Sequence, residues 1–155
     1  MKEVVGDLLK NMDKHDMVAH GCNAFCTMGS GIARSIRERF PEVYEADCET
    51  IEGDPTKLGT YTSADVVVNG KTVTVVNLYT QYNYGRDKVQ FNYVAFEKGL
   101  KRLKQDFANN SMAFPKIGSG LAQGNWKIIR SMIERIMEGE DVTIYYLTES
   151  DKIIG

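Results

Sequence analysis

Two stretches of this chain have the residue types and spacing for binding chemistry. They are HGCNAFCTMGSGI, His20 to Ile32, and PKIGSGLAQGNW, Pro115 to Trp126. Each runs from an apolar segment through closely spaced glycines into a helical pattern. Glycine lets the main chain approach a ligand closely, and a helix that follows presents unpaired N–H groups. Gly29, Ser30 and Gly31 in one stretch, and Gly118, Ser119 and Gly120 in the other, therefore have the makings of anion cradles. A pair of such cradles on one sheet edge suits a diphosphate held by neutral amides; either one alone is more often a tight turn. Neither has the lysine of a Walker loop or the dinucleotide-binding spacing with its later acid, which excludes kinases, ATPases and dehydrogenases of those types.

Side chains able to move or hold protons flank these loops. His20 titrates near neutrality when unperturbed, so it is a candidate acid or base, or else a core histidine bonded to backbone. Asn23 is suited to positioning a sugar hydroxyl or to forming a turn. YTQYNYGRD, Tyr79 to Asp87, supplies a third loop. There Gln81 is placed to hold water or a phosphate, and Tyr82 and Tyr84 to close over a ligand or simply to pack. Arg86, Asp87 and Lys88 are charges for a terminal phosphate, for proton transfer or for solvent. Ser119 is either a phosphate donor or a small residue between glycines. Cys22 and Cys26 read as small apolar filler, and His15, in the polar run NMDKHD, as part of a solvated turn. Trp126 reads as a staple holding the second glycine loop to the core. No histidine and acid cluster has metal-ligand spacing, so chemistry without metal or other cofactor is expected.

The elements that must position these groups follow from periodicity. KEVVGDLL and DMVAHGCN read as short buried strands, and SGIARSIRERF switches to helical spacing through Ile32, Ile36 and Phe40. Pro41 fits the first turn of a second helix, PEVYEADCET. Asn69-Gly70 joins TYTSADVVV to KTVTVVNLYT in a hairpin. FNYVAFEKGLKRLKQDF is amphipathic, with Phe96, Leu100, Leu103 and Phe107 on one face. SMAFPKIG is a strand, NWKIIRSMIERIM a helix burying Ile129, Ile133 and Ile136, and DVTIYYL a last strand. The order predicts an α/β fold: a mixed sheet of about six strands with helices on both faces, and ligands at the strand ends. The 155 residues suit one domain, 1–155, and the net charge of −2 gives no footprint for extended nucleic acid. No apolar run is long enough for a membrane, and the start MKEVVGDLLKNMDK lacks a signal-peptide core, so a cytoplasmic protein is expected. Cys22, Cys26 and Cys48 suggest neither a disulfide framework nor structural zinc.

In three motifs, and over nearly its whole length, the chain resembles a macrodomain, the three-layer α/β/α module that binds ADP-ribose. VVGDLL resembles the family's early motif, which implies that Asp7 and Leu8 take the adenine. HGCNAFCTMGSGIA resembles its first loop, implying Asn23 at the distal ribose and Gly29, Ser30, Gly31 and Ile32 at the phosphates. PKIGSGLAQGNW resembles its second loop and implies Gly118, Ser119, Gly120, Leu121 and Ala122 as phosphate-embracing residues. Within the family the likeness is to the branch of the ADP-ribose-1″-phosphate phosphatases and the terminal ADP-ribose protein glycohydrolase. In that glycohydrolase a lysine attacks the sugar and an aspartate assists; the matching positions here hold Gln81 and Ala122. An amide cannot form the lysine adduct and a methyl group cannot shuttle a proton. The resemblance therefore implies a phosphatase acting on ADP-ribose-1″-phosphate; the catalytic candidates are His20, Asn23 and Gln81, Tyr82 is placed against the ribose, and a monomer is expected. Its alternatives are a mono-ADP-ribosyl hydrolase acting on protein or nucleic-acid ends, and a reader without turnover.

Overall fold

The computed structural model describes residues 1–85 and 87–153. Arg86, one of the charges considered for a phosphate, lies outside the described residues. Strands β1 (Lys2–Val5), β2 (Met17–Cys22), β3 (Tyr61–Val68), β4 (Lys71–Tyr79), β5 (Met112–Pro115) and β6 (Val142–Tyr146) form one six-stranded sheet in the order β1-β6-β5-β2-β4-β3. Only β3 runs against its neighbour; the β1–β6, β6–β5, β5–β2 and β2–β4 pairs are parallel. The sheet is mixed, as the order of elements predicts. Asn69 and Gly70 at the hairpin tip both have positive φ, 50° and 78°, the geometry that matches hairpin twist.

Helices α1 (Gly31–Arg39) and α2 (Pro41–Cys48) cover one face of the sheet, and α3 (Tyr93–Asp106) and α4 (Trp126–Ile136) the other. Side-chain alternation along β2 divides the two cores. Met17 and Ala19 join Phe96, Leu100, Ile129 and Ile133 on the α3–α4 side. Val18 and Cys22 join Ile36 and Val43 on the α1–α2 side. Ile129 and Ile133 are fully buried, each worth about 1.5–3 kcal/mol as a burial term, which is why the helix pattern of this segment dominates its local structure. The three-layer α/β/α arrangement is thus built from the apolar spacings in the sequence. After β6 the chain forms a short helix α5 (Glu149–Ile153), and Lys116 Nζ donates to the Asp151 carbonyl at 3.0 Å.

Because β2, β4, β5, β6 and β1 run parallel, their C-terminal ends share one edge of the sheet. That edge carries the Asp7 turn, both glycine loops and the segment after β4. Among the described residues, no helix is long and apolar enough to cross a membrane.

Candidate functional site

Two cavities, each of about 640 Å³, lie side by side along this edge. They share a wall of Gly31, Ile32, Pro115, Lys116 and Gly120. The Asp7 cavity adds Asp7, Leu8, Ser119 and Tyr145; the Gln81 cavity adds Asn23, Gly29, Ser30, Thr80, Gln81, Tyr84, Gly118, Leu121 and Ala122. Most residues expected to bind a ligand are therefore brought together, although they come from segments more than a hundred positions apart.

Asp7 caps the turn Leu8–Lys10, its Oδ1 accepting from the Leu9 N–H at 2.9 Å. That bond fixes the carboxylate at the mouth of the Asp7 cavity beside the buried Leu8. On the first glycine loop, Asn23 Oδ1 accepts from the Phe25 N–H and Asn23 Nδ2 donates to Thr27 Oγ1, both at 2.8 Å. The Asn23 turn shapes the loop as well as lining the cavity. Gly31 opens α1 with φ of 57°, and Ser30, at the N-cap, makes no side-chain cap bond. The first-turn amides of α1 are thus available at the wall the two cavities share.

The second glycine loop works differently from expectation. Asn125 caps α4 by accepting from the Lys127 N–H at 3.0 Å, and Trp126 is buried against Tyr146, so this helix start is closed. The loop reaches the cavity through its own backbone at Gly118, Gly120, Leu121 and Ala122. Gly118 is required by packing: its φ is 79°, and an added Cβ would fall 2.3 Å from Phe91 Cε1. Ser119 lines only the Asp7 cavity, and its Oγ donates to the Lys116 carbonyl at 3.2 Å. The cation at the shared wall is Lys116, which motif reading passed over although it sits inside the second motif.

His20 needs correction. It is the fourth residue of β2, two short of the strand end, and alternation turns it with Val18 and Cys22 into the α1–α2 layer. It is completely buried, is not part of either cavity wall, and its Nε2 lies 2.6 Å from Asn77 Oδ1. Burial lowers its pKa to about 4, so the ring is neutral at physiological pH and has no path to a ligand proton. Tyr82 also leaves the site: its hydroxyl donates to the Gly53 carbonyl at 2.9 Å and its ring edges against Phe25, while Tyr84 lines the cavity in its place. Gln81 does line the cavity, with Nε2 donating to the Asn83 carbonyl at 2.8 Å. His15 is buried rather than solvated, bridging Ser111 Oγ and Tyr145 OH at 2.8 and 2.6 Å.

The structure adds a group the sequence reading missed. Asp47, near the end of α2, is 1% exposed and forms part of the Gln81 cavity wall. Its Oδ1 accepts from Tyr79 OH at 2.6 Å, and burial raises its pKa. The signal was present: Asp47 follows Val43 by four residues, which puts an acid on the buried face of α2. Among the described residues, no cluster of three or more histidine, cysteine or acidic side chains could hold a metal ion.

Both glycine loops thus follow neighbouring strands, β2 and β5, at one parallel edge of an α/β/α sandwich. The Macro domain family model matches residues 19–133, and the chain belongs to that family. Over 93% of its length it is 33% identical to a 17.5 kDa protein of Enterobacteria phage T4 from the tk-vs intergenic region, covering 94% of that protein. It is 28% identical to a human protein named ADP-ribose glycohydrolase, over 94% of this chain and 89% of that one. It is 30% identical to the ADP-ribose 1″-phosphate phosphatase of Debaryomyces hansenii, over 87% and 93%. Among solved structures, the macrodomain of Thermus aquaticus DarG superposes with a TM-score of 0.71 at 21% identity, covering 95% of this chain and 97% of that one.

Proposed function

We propose that this macrodomain binds ADP-ribose derivatives along the two joined cavities and hydrolyses the terminal phosphate of ADP-ribose-1″-phosphate. The adenine side of the ligand sits by Asp7 and Leu8. The diphosphate crosses the shared wall between the α1 amides, Gly120 and Lys116, and the distal ribose enters the Gln81 cavity beside Asn23. Gly29, Ser30, Gly31, Ile32, Gly118, Leu121 and Ala122 contribute backbone and shape rather than charge.

One observation carries the choice of reaction. Gln81 and Ala122 border the same cavity, so the positions that would need a lysine and an aspartate for the covalent glycohydrolase route carry an amide and a methyl group. Phosphoryl transfer makes smaller demands: it depends on positioning and electrostatic stabilisation more than on a protein nucleophile.

The test is phosphate release from purified protein and ADP-ribose-1″-phosphate, run beside ADP-ribosylated protein and ADP-ribosylated oligonucleotide. Release of phosphate alone is expected. Loss of label from either macromolecule without phosphate release would move the activity to glycosidic bonds. Calorimetric binding of ADP-ribose with no turnover of any substrate would leave a reader.

A further inference from the structure

Asp47 and Thr80 hold the two buried side-chain polar atoms without a hydrogen-bond partner among the described residues, Asp47 Oδ2 and Thr80 Oγ1. Both residues border the Gln81 cavity. A buried polar atom left unpaired is costly, and native structures pair nearly all of them, so a pair of orphans at one cavity marks where a polar guest is held.

Asp47 is also the end of a buried chain of hydrogen bonds with one direction. Asn77 Nδ2 donates to the Val43 carbonyl at 3.0 Å and to Thr62 Oγ1 at 3.1 Å, which leaves Asn77 Oδ1 to accept from His20 Nε2. Tyr79 OH donates to Asp47 Oδ1 at 2.6 Å, so Thr62 Oγ1, 2.9 Å away, is the donor to Tyr79. One continuous line of donors thus runs from His20 through Asn77, Thr62 and Tyr79 to Asp47. Such a chain orients the carboxyl and favours its charged form, with members that polarise one another. The neighbouring ammonium of Lys57 does not pair with Oδ2: it donates to the Ala24 carbonyl, Thr50 Oγ1 and Cys26 Sγ, using its three protons. A carboxyl present only to anchor α2 would have both oxygens paired.

We infer that Asp47 is the proton acceptor of the site, its buried, unpaired Oδ2 taking the attacking water at the wall of the Gln81 cavity while Tyr79, Thr62, Asn77 and His20 position it. This rests on the hydrolytic reading above. As the water oxygen bonds to phosphorus and the P–O1″ bond breaks, one water proton passes to Asp47 Oδ2 and then to the departing O1″. The products are ADP-ribose and hydrogen phosphate, and the carboxylate is restored. His20 thus takes part as a positioning residue from inside the core.

The groups facing Asp47 are Tyr79 from β4, Lys57 from the turn Pro55–Lys57, Cys22 from β2 and Tyr44 from its own helix. Burial holds the pKa of Asp47 up while Tyr79 and Lys57 pull it down. Removing the Tyr79 hydroxyl must therefore raise it, which gives a readout that a merely structural role would not move.

The experiment measures kcat against pH on ADP-ribose-1″-phosphate, with ADP-ribose affinity by calorimetry, for the unmodified protein, Asp47→Asn and Tyr79→Phe. Asp47→Asn is expected to lower kcat by about 100-fold or more while ADP-ribose affinity stays within about threefold. Tyr79→Phe, which loses a positioning bond, is expected to lower kcat by less than Asp47→Asn does and to move the acid limb of the profile up by about one pH unit. An Asp47→Asn protein with kcat near the unmodified value, or one that loses affinity in step with kcat, overturns the inference. So does an unmoved limb in Tyr79→Phe, which decides the matter even if Asp47→Asn does not fold. An unmodified protein that turns over nothing would instead refute the proposed function, and the inference with it.

Discussion

Acidification from about pH 7.5 to about pH 4.5 protonates any imidazole that water can reach, and His20 resists it. In the folded protein its pKa is lowered from 6.5 to about 4 by complete burial, against which the Asn77 bond is a smaller, opposing effect. Since the folded-state value is the depressed one, the unfolded chain takes the proton first. The stability is complete above about pH 6.5 and is lost as pH falls toward 4. Linkage between these values gives about 2 kcal/mol lost by pH 5 and about 3 kcal/mol by pH 4. His15, also lowered by burial, adds a loss of the same sign, whereas Asp47, raised by burial, contributes in the opposite sense. The His20→Gln variant isolates the one term, because an amide keeps a donor for Asn77 and does not titrate. Urea unfolding at several pH values should show the unmodified protein losing about 2 kcal/mol more than His20→Gln between pH 7 and pH 5. Parallel curves for the two proteins would refute the account of His20 as a neutral core residue. A kcat profile with a limb near pH 6.5 that vanishes in His20→Gln would do the same.

Gly118→Ala should destabilise the fold by about 2–4 kcal/mol and weaken ADP-ribose binding. The substitution combines positive φ with a methyl group driven into Phe91; thermal melts and calorimetry check both effects, and an Ala variant with the original melting temperature would contradict the contact. Glu3 is held at a pKa of about 2 by its bonds to Arg130 at 2.7 and 2.9 Å and to Tyr146 OH. This depressed carboxylate contributes stability above about pH 4.5 that is lost as pH falls toward 2. Glu3→Gln should cost about 1–2 kcal/mol at pH 7 after solvent screening and flatten the acid dependence below pH 4.5, as measured by urea unfolding.

Much of the architecture was legible because it is a matter of local period and turn chemistry. Ile129, Ile133 and Ile136 recur at helical spacing, Asn69-Gly70 supplies a hairpin turn, and Pro41 suits a helix start; each signal lies within a few residues of what it controls. The glycine loops were legible for the same reason, and the parallel order of β2, β4 and β5 then brought them to one edge. Less legible was which way a side chain points once its element is packed. His20 and Asn23 are three residues apart, yet one is sealed under α2 and the other lines the cavity. The difference is where β2 ends, which depends on its pairing with β4 through Cys22 and Tyr79.

From the sequence alone came the α/β class, the order of elements, the two glycine loops and the family resemblance, since periodicity, turn residues and motif spacing are properties of neighbouring residues. Only the tertiary structure decided that α4 closes its own N-terminus, that Tyr84 rather than Tyr82 faces the cavity, and that Asp47 stands at its wall on a chain of bonds leading back to His20. Those bonds join residues distant along the chain, at positions fixed by strand register and by helix packing on the sheet, and burial then sets the proton affinities of the groups they hold.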